Sequence, residues 1–156
     1  MQKEQHKILI LGIGNVLLRD EGIGVHAIYE LEKQPWPENV TILDGGTGGF
    51  HLLSLVQEYQ TIILIDATLN GDPTGTVKVL EPKYSKDFPK ALSSHDIGLK
   101  DLIDSAILLN SLPKIYLVTI TIRSPQDVDT ELSPEIRNTL PVIVKQIQTI
   151  LQSFKS

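Results

Sequence analysis

The segments Ile8-Leu9-Ile10-Leu11 and Ile62-Ile63-Leu64-Ile65 are apolar at every position. A strand with one face in water alternates apolar and polar residues. One buried on both faces reads as a continuous apolar run, as in parallel sheets sandwiched between helices. These runs predict strands over 7–12 and 61–66, and further strands are predicted over 40–44, 76–80 and 114–120, which makes five in all. Between them lie stretches with helical spacing: Ile23, Ala27, Ile28 and Leu31 within 21–33, then Leu52, Leu53 and Val56, then Leu99, Leu102, Ile103 and Ala106 within 97–109. Strands alternating with helices predict an α/β fold, a three-layer α/β/α sandwich around a mostly parallel sheet. The fourth strand is the exception. The link Thr68-Leu69-Asn70-Gly71-Asp72-Pro73-Thr74-Gly75 before it is too short for a helical crossover, so strand four is expected to run antiparallel and the sheet to be mixed.

Asp20 is placed to N-cap the helix over 21–33, and Pro35 and Pro37 end it. Ser133 followed by Pro134 marks the start of the last helical region, and Pro141 predicts two short helices or one kinked helix there. The long connection over 81–94 has the length of a functional loop.

A length of 156 residues predicts one domain over 1–156. There is no cysteine, which removes disulfides, thiolate metal sites and cysteine nucleophiles from consideration. The polar start from Met1 to Lys7 does not read as a signal peptide. No run approaches the ~20 apolar residues that span a bilayer, so a soluble cytoplasmic protein with no membrane partner is expected. The net charge of −5 argues against a nucleic-acid partner, and Lys83, Lys86 and Lys90 read as a solvated stretch. No heptad or exposed apolar run argues for self-association, so a monomer is expected.

In a mostly parallel sheet the loops at the carboxyl ends of the strands converge on one edge, where ligands bind. Glu21, Asp66 and His95 sit at three separate loop positions, two of them after apolar strand-like runs and the third before a helical pattern. Two carboxylates and an imidazole meeting there would form an oxygen and nitrogen metal site with room for substrate ligands. Each also has a plainer role open to it. Glu21 suits the first turn of a helix, Asp66 suits a turn, and His95 suits an exposed loop. His6, His26 and His51 are read as structural or surface residues.

Two other motifs fall short. Gly12-Ile13-Gly14 follows a strand, and Asp44 ends the next one, as in dinucleotide-binding folds. Position 17 is Leu where the third glycine belongs, and Leu17 to Asp20 separate the loop from the helix that would hold a pyrophosphate. Ser93-Ser94-His95-Asp96 holds the residue types of a catalytic triad, but neighbours in sequence cannot face one another in the needed order. No G-x-S-x-G elbow occurs.

Taken together, several blocks resemble the nickel-iron hydrogenase maturation endopeptidases. The opening block is Gly12-x-Gly14-Asn15-x-Leu17-x-x-Asp20-Glu21-Gly22-x-Gly24. Asp44-Gly45-Gly46-Thr47-x-Gly49, Ile65-Asp66-Ala67, Ser94-His95-Asp96-x-Gly98-Leu99 and Leu132-Ser133-Pro134-Glu135 follow in the same order. The resemblance covers nearly the whole chain. It implies a five-stranded mixed sheet with strand four antiparallel. It also implies a protease that removes a C-terminal peptide from the nickel-loaded precursor of a hydrogenase large subunit. By that resemblance Glu21, Asp66 and His95 are the catalytic and metal-binding residues. The nickel is carried by the substrate, and another divalent metal is expected to substitute in vitro. Many members have two aspartates where this chain has Asp20-Glu21, and either acid can ligate. Asp20 and Asp44 are candidates for a general base, and Asp44, Gly45, Gly46 and Thr47 for substrate docking. A peptidyl-tRNA hydrolase-like esterase opens in a similar way but carries a basic face. A non-catalytic module binding nickel or a nucleotide is the other alternative.

Overall fold

The computed structural model describes residues 6–46, 57–83, 87, 108, 113–123 and 126–154. Five strands, β1 (Ile8–Ile13), β2 (Val40–Gly46), β3 (Thr61–Thr68), β4 (Val77–Leu80) and β5 (Lys114–Thr121), form one sheet in the order β2-β1-β3-β5-β4. β1 runs parallel to both β2 and β3, and β3 parallel to β5. β4 is antiparallel to β5, as the short link before it requires.

Every residue of β1 and β3 is buried, which is why both read as unbroken apolar runs. Ile8, Ile10, Ile63, Ile65, Val118 and Ile120 point to one face of the sheet. There they pack on α1 (Ile23–Leu31) and α3 (Leu140–Gln152), through residues such as Ile28, Leu31, Ile143 and Ile147. Leu9, Leu11, Ile13, Ile62, Leu64 and Leu117 point the other way and are equally buried. A sheet dry on both faces is the middle layer of three. Each such side chain contributes about 1.5–3 kcal/mol through burial, so the two apolar layers dominate the fold's stability.

The local differences from expectation have physical reasons. The helix expected over 21–33 begins later: a 3₁₀ turn, Arg19–Gly22, precedes α1. Asp20 does not cap α1, because its carboxylate bonds to Ser133 instead; the cap position is Gly22, with no side-chain cap. Pro141 separates two helices, α2 (Pro134–Arg137) and α3, and sits in the first turn of the latter. β3 continues past Asp66 to Thr68, because β5 still pairs with it through Thr68↔Thr121. The expected helices around Leu52 and over 97–109 lie outside the described residues, apart from Leu108, and so does most of the 81–94 connection.

Candidate functional site

The strand order places β1 and β3 side by side at the centre, with the chain leaving β1 toward β2 on one flank and β3 toward β5 on the other. Such a reversal opens a crevice beyond the carboxyl ends of the two strands. β1 pairs with β3 only as far as Gly12↔Ile65. At that point β1 shifts register against β2, and Gly14 N–H bonds to the Gly46 carbonyl at 2.6 Å. Asp66 is the first residue of β3 beyond the last β1 pair.

Asp66 is fully buried. Its Oδ1 accepts the Ala67 N–H at 2.8 Å, while its Oδ2, also buried, has no hydrogen-bond partner among the described residues. An unsatisfied buried carboxylate oxygen costs at least about 1–3 kcal/mol, more when charged, so such a group calls for a reason. Its neighbours on the same face change character along the strand, from Ile62 and Leu64 to Asp66 and then Thr68. Across the sheet Asp66 is in register with Thr119 of β5, which is also buried. The carboxyl end of this face is therefore polar where its middle is apolar.

Glu21 reaches the same end from the 3₁₀ turn, which packs against β3. It is buried, and its N–H donates to the Leu18 carbonyl at 3.0 Å. Glycine makes this approach possible. A Cβ on Gly24 would overlap the carbonyls of both Ile13 and Ile65, so α1 starts directly over the β1–β3 crevice. Gly14, at φ 151°, lets the loop turn back until a side chain there would collide with the Glu21 carbonyl.

His95 and Thr47 lie outside the described residues. Among the described residues no group of three His, Asp or Glu is assembled that could hold a metal ion. Two buried carboxylates belong to elements that meet at this end, Glu21 on the 3₁₀ turn and Asp66 on β3, and one oxygen of Asp66 has no hydrogen-bond partner among the described residues. Carboxylate oxygens are hard donors of the kind that suit a divalent cation.

Asp20 and Asp44 are committed elsewhere. Both oxygens of Asp20 accept bonds from Ser133, from its N–H and its hydroxyl, each at 2.8 Å. Asp44 accepts the Gly46 N–H at 2.8 Å and the Tyr29 hydroxyl at 3.4 Å, and is exposed. The Tyr29 hydroxyl titrates above its ordinary value, through desolvation and then the Asp44 charge. Gly45 packs inward on Leu11 and Gly12, whereas a Cβ on Gly46, at φ 56°, would meet no atom within 4 Å among the described residues. His6 is structural, its Nε2 within 2.7 Å of Thr61 Oγ1 and its ring stacked on Phe154. His26 on α1 has its pKa lowered, chiefly by burial. A cavity of about 460 Å³ near Lys7, Glu38, Asn39, Glu58 and Tyr59 lies at the opposite, amino end of the strands. Gln126 and Asp129, which sequence reasoning passes over, reach the Glu21 loop from 106 and 110 residues away, a separation that leaves no local signal.

Fold and site together define an α/β protein with an acidic pair at the switch point of a five-stranded mixed sheet. Residues 25–150 match the family described as HycI, hydrogenase maturation protease. The hydrogenase expression/formation protein HupD of Rhizobium leguminosarum bv. viciae is 34% identical over 95% of this chain and 75% of its own length. The hydrogenase 2 maturation protease of Escherichia coli (strain K12) is 30% identical over 94% of this chain and 91% of its own. The structure of the hydrogenase maturating endopeptidase HybD from E. coli superposes with a TM-score of 0.86, at 31% identity, covering 94% of this chain and 93% of that one. The chain belongs to the hydrogenase maturation protease family. It is a peptidase, and the peptidyl-tRNA hydrolase-like and binding-module readings are not favoured. Among the described residues no helix is long and apolar enough to cross a membrane.

Proposed function

We propose that this protease removes a C-terminal peptide from the nickel-loaded precursor of a nickel-iron hydrogenase large subunit, and that Glu21, Asp66 and His95 engage the nickel the substrate carries. The observation that carries the reading is the buried Oδ2 of Asp66 at the β1–β3 crevice, which has no hydrogen-bond partner among the described residues. Two carboxylates and an imidazole form a weak, open donor set. It can complete the shell of a metal already held by the substrate without stripping it out. Recognition of that metal would make cleavage conditional on nickel insertion. A metal next to the scissile bond polarises its carbonyl or lowers the pKa of a bound water, so a protein nucleophile is not required. The chain's lack of cysteine is consistent with this.

Gly46 supports a docking role for the segment from Asp44 to Thr47. With no described residue beside its Cα, an extended substrate strand could approach the backbone there. Asp44 is assigned to shaping this turn rather than to moving a proton, because its carboxylate already accepts the Gly46 N–H. The same reading places the enzyme in the cytoplasm as a monomer, alongside its precursor, with another divalent metal able to replace nickel in vitro.

The test is intact-mass measurement of the large-subunit precursor, nickel-loaded and nickel-free, after incubation with wild type, Glu21→Gln and His95→Ala. Loss of a C-terminal peptide only with nickel and only with wild type is the expected result. Cleavage of the nickel-free precursor at the same rate would remove the recognition role of the metal. Full activity in either variant would remove that residue from the site.

A further inference from the structure

The turn that carries Glu21 is tied to a segment more than a hundred residues further along. The Gln126 side-chain oxygen accepts the Asp20 N–H at 3.0 Å. The Asp129 carbonyl accepts the Arg19 N–H at 2.8 Å, and the Asp129 N–H donates to the Leu17 carbonyl at 3.0 Å, forming an isolated parallel bridge at Leu18. The Arg19 guanidinium donates to the Asp129 carboxylate at 3.1 Å. Ser133, at the head of α2, spends its hydroxyl on Asp20 rather than on capping its own helix.

The turn needs this support. Arg19 sits at φ 44°, in the left-handed region that a residue with a Cβ avoids, and it is the one non-glycine residue at positive φ among those described. The conformation is therefore imposed by partners, and the partners come from residues 126–133. Asp20 is 4% exposed, and each of its oxygens is engaged by Ser133. Its neighbour Glu21 is the acid that the turn delivers to the crevice.

We infer that Asp20 and Ser133 are positioning residues: their two-bond contact fixes the 3₁₀ turn so that the Glu21 carboxylate is presented beside Asp66. The inference rests on the reading of Glu21 as a substrate-metal contact. It gives the Leu132-Ser133-Pro134 helix start a task in the active site, although it lies far from Glu21 in sequence.

The experiment compares kcat/KM on nickel-loaded precursor for wild type, Ser133→Ala, Ser133→Thr, Gln126→Ala and Glu21→Gln, each assayed well below its own thermal midpoint. A misplacement of about 1 Å in a reacting array costs up to about 100-fold in rate, so losing one of two bonds is expected to lower kcat/KM roughly 10-fold in Ser133→Ala. Ser133→Thr keeps the hydroxyl and is expected to recover activity to within about 2-fold of wild type, on the same scale. Gln126→Ala removes an acceptor at a part-exposed edge and is expected to cost about 3-fold while folding normally, so it decides the matter if Ser133→Ala does not fold. A wild-type rate in folded Ser133→Ala, or a loss in Ser133→Thr equal to that in Ser133→Ala, would overturn the inference; where Ser133→Ala does not fold, a wild-type rate in Gln126→Ala would overturn it. Full activity in Glu21→Gln would instead overturn the role of Glu21 itself, so the two failures are told apart.

Discussion

One oxygen of Asp66 carries a desolvation cost that no described residue offsets. Oδ2 is buried without a partner among the described residues, and it lies where β3 has just lost its β1 neighbour. Unsatisfied groups of this kind cluster at functional sites, where stability is given up for activity, and the proposed role of Asp66 predicts that trade. Asp66→Asn, nearly isosteric, is therefore expected to melt at or above the wild-type temperature while losing at least about 100-fold in cleavage, the scale set by losing one transition-state electrostatic contact. Thermal melts alongside the precursor assay check this; a variant that is both less stable and fully active would make Asp66 a structural residue. The sequence made the residue type legible, because an acid closing an apolar strand stands out. It did not reveal that Asp66 lies inside the strand, since that depends on β5 continuing to Thr121 beside it. Nor could it divide the work between Asp20 and Glu21. That division depends on Ser133, which is 113 residues from Asp20.

The elements differ in how far they could be read. β1 and β3 were legible because burial on both faces leaves a continuous run, and β4's direction followed from a link too short for a crossover. The start of α1 was not, because its cap signal, Asp20, is drawn off by a distant partner. α1 also carries a pH dependence. Burial, the largest effect, lowers the His26 pKa; the Arg137 charge lowers it further, while the Thr130 carbonyl and the Asp20 charge oppose. With the folded value below the unfolded one, the unfolded state binds the extra proton first as pH falls. The contribution is whole above about pH 6.5, the ordinary histidine value, and is lost as pH drops toward the folded pKa. The thermal midpoint of wild type is thus expected to fall between pH 7 and 5 by more than that of His26→Gln. Parallel slopes for the two proteins over that range would show that His26 does not couple to folding.

At the scale of the whole molecule, stability and chemistry are supplied by different parts. Two apolar layers enclose the sheet, through Ile10, Ile28 and Ile147 on one side and Leu9, Leu64 and Leu117 on the other. The acidic pair sits at the rim, at the carboxyl ends of β1 and β3. A metal that organises a fold contributes its binding free energy to folding, and chelators then denature the protein. Apolar side chains form both core clusters among the described residues, and the proposal that the substrate brings the metal leaves the free enzyme with none to lose. Removing a resident metal held at a hundred times its Kd would cost about 2.7 kcal/mol, which for a chain of this size lowers the melting temperature by roughly 5–10 °C. Dialysis of the free enzyme against a chelator is expected to move the midpoint by less than about 1 °C, well inside that figure. Re-addition of nickel ion should move it as little. A drop of several degrees, reversed by nickel, would place a resident metal in the free enzyme and end the view that the substrate alone supplies it.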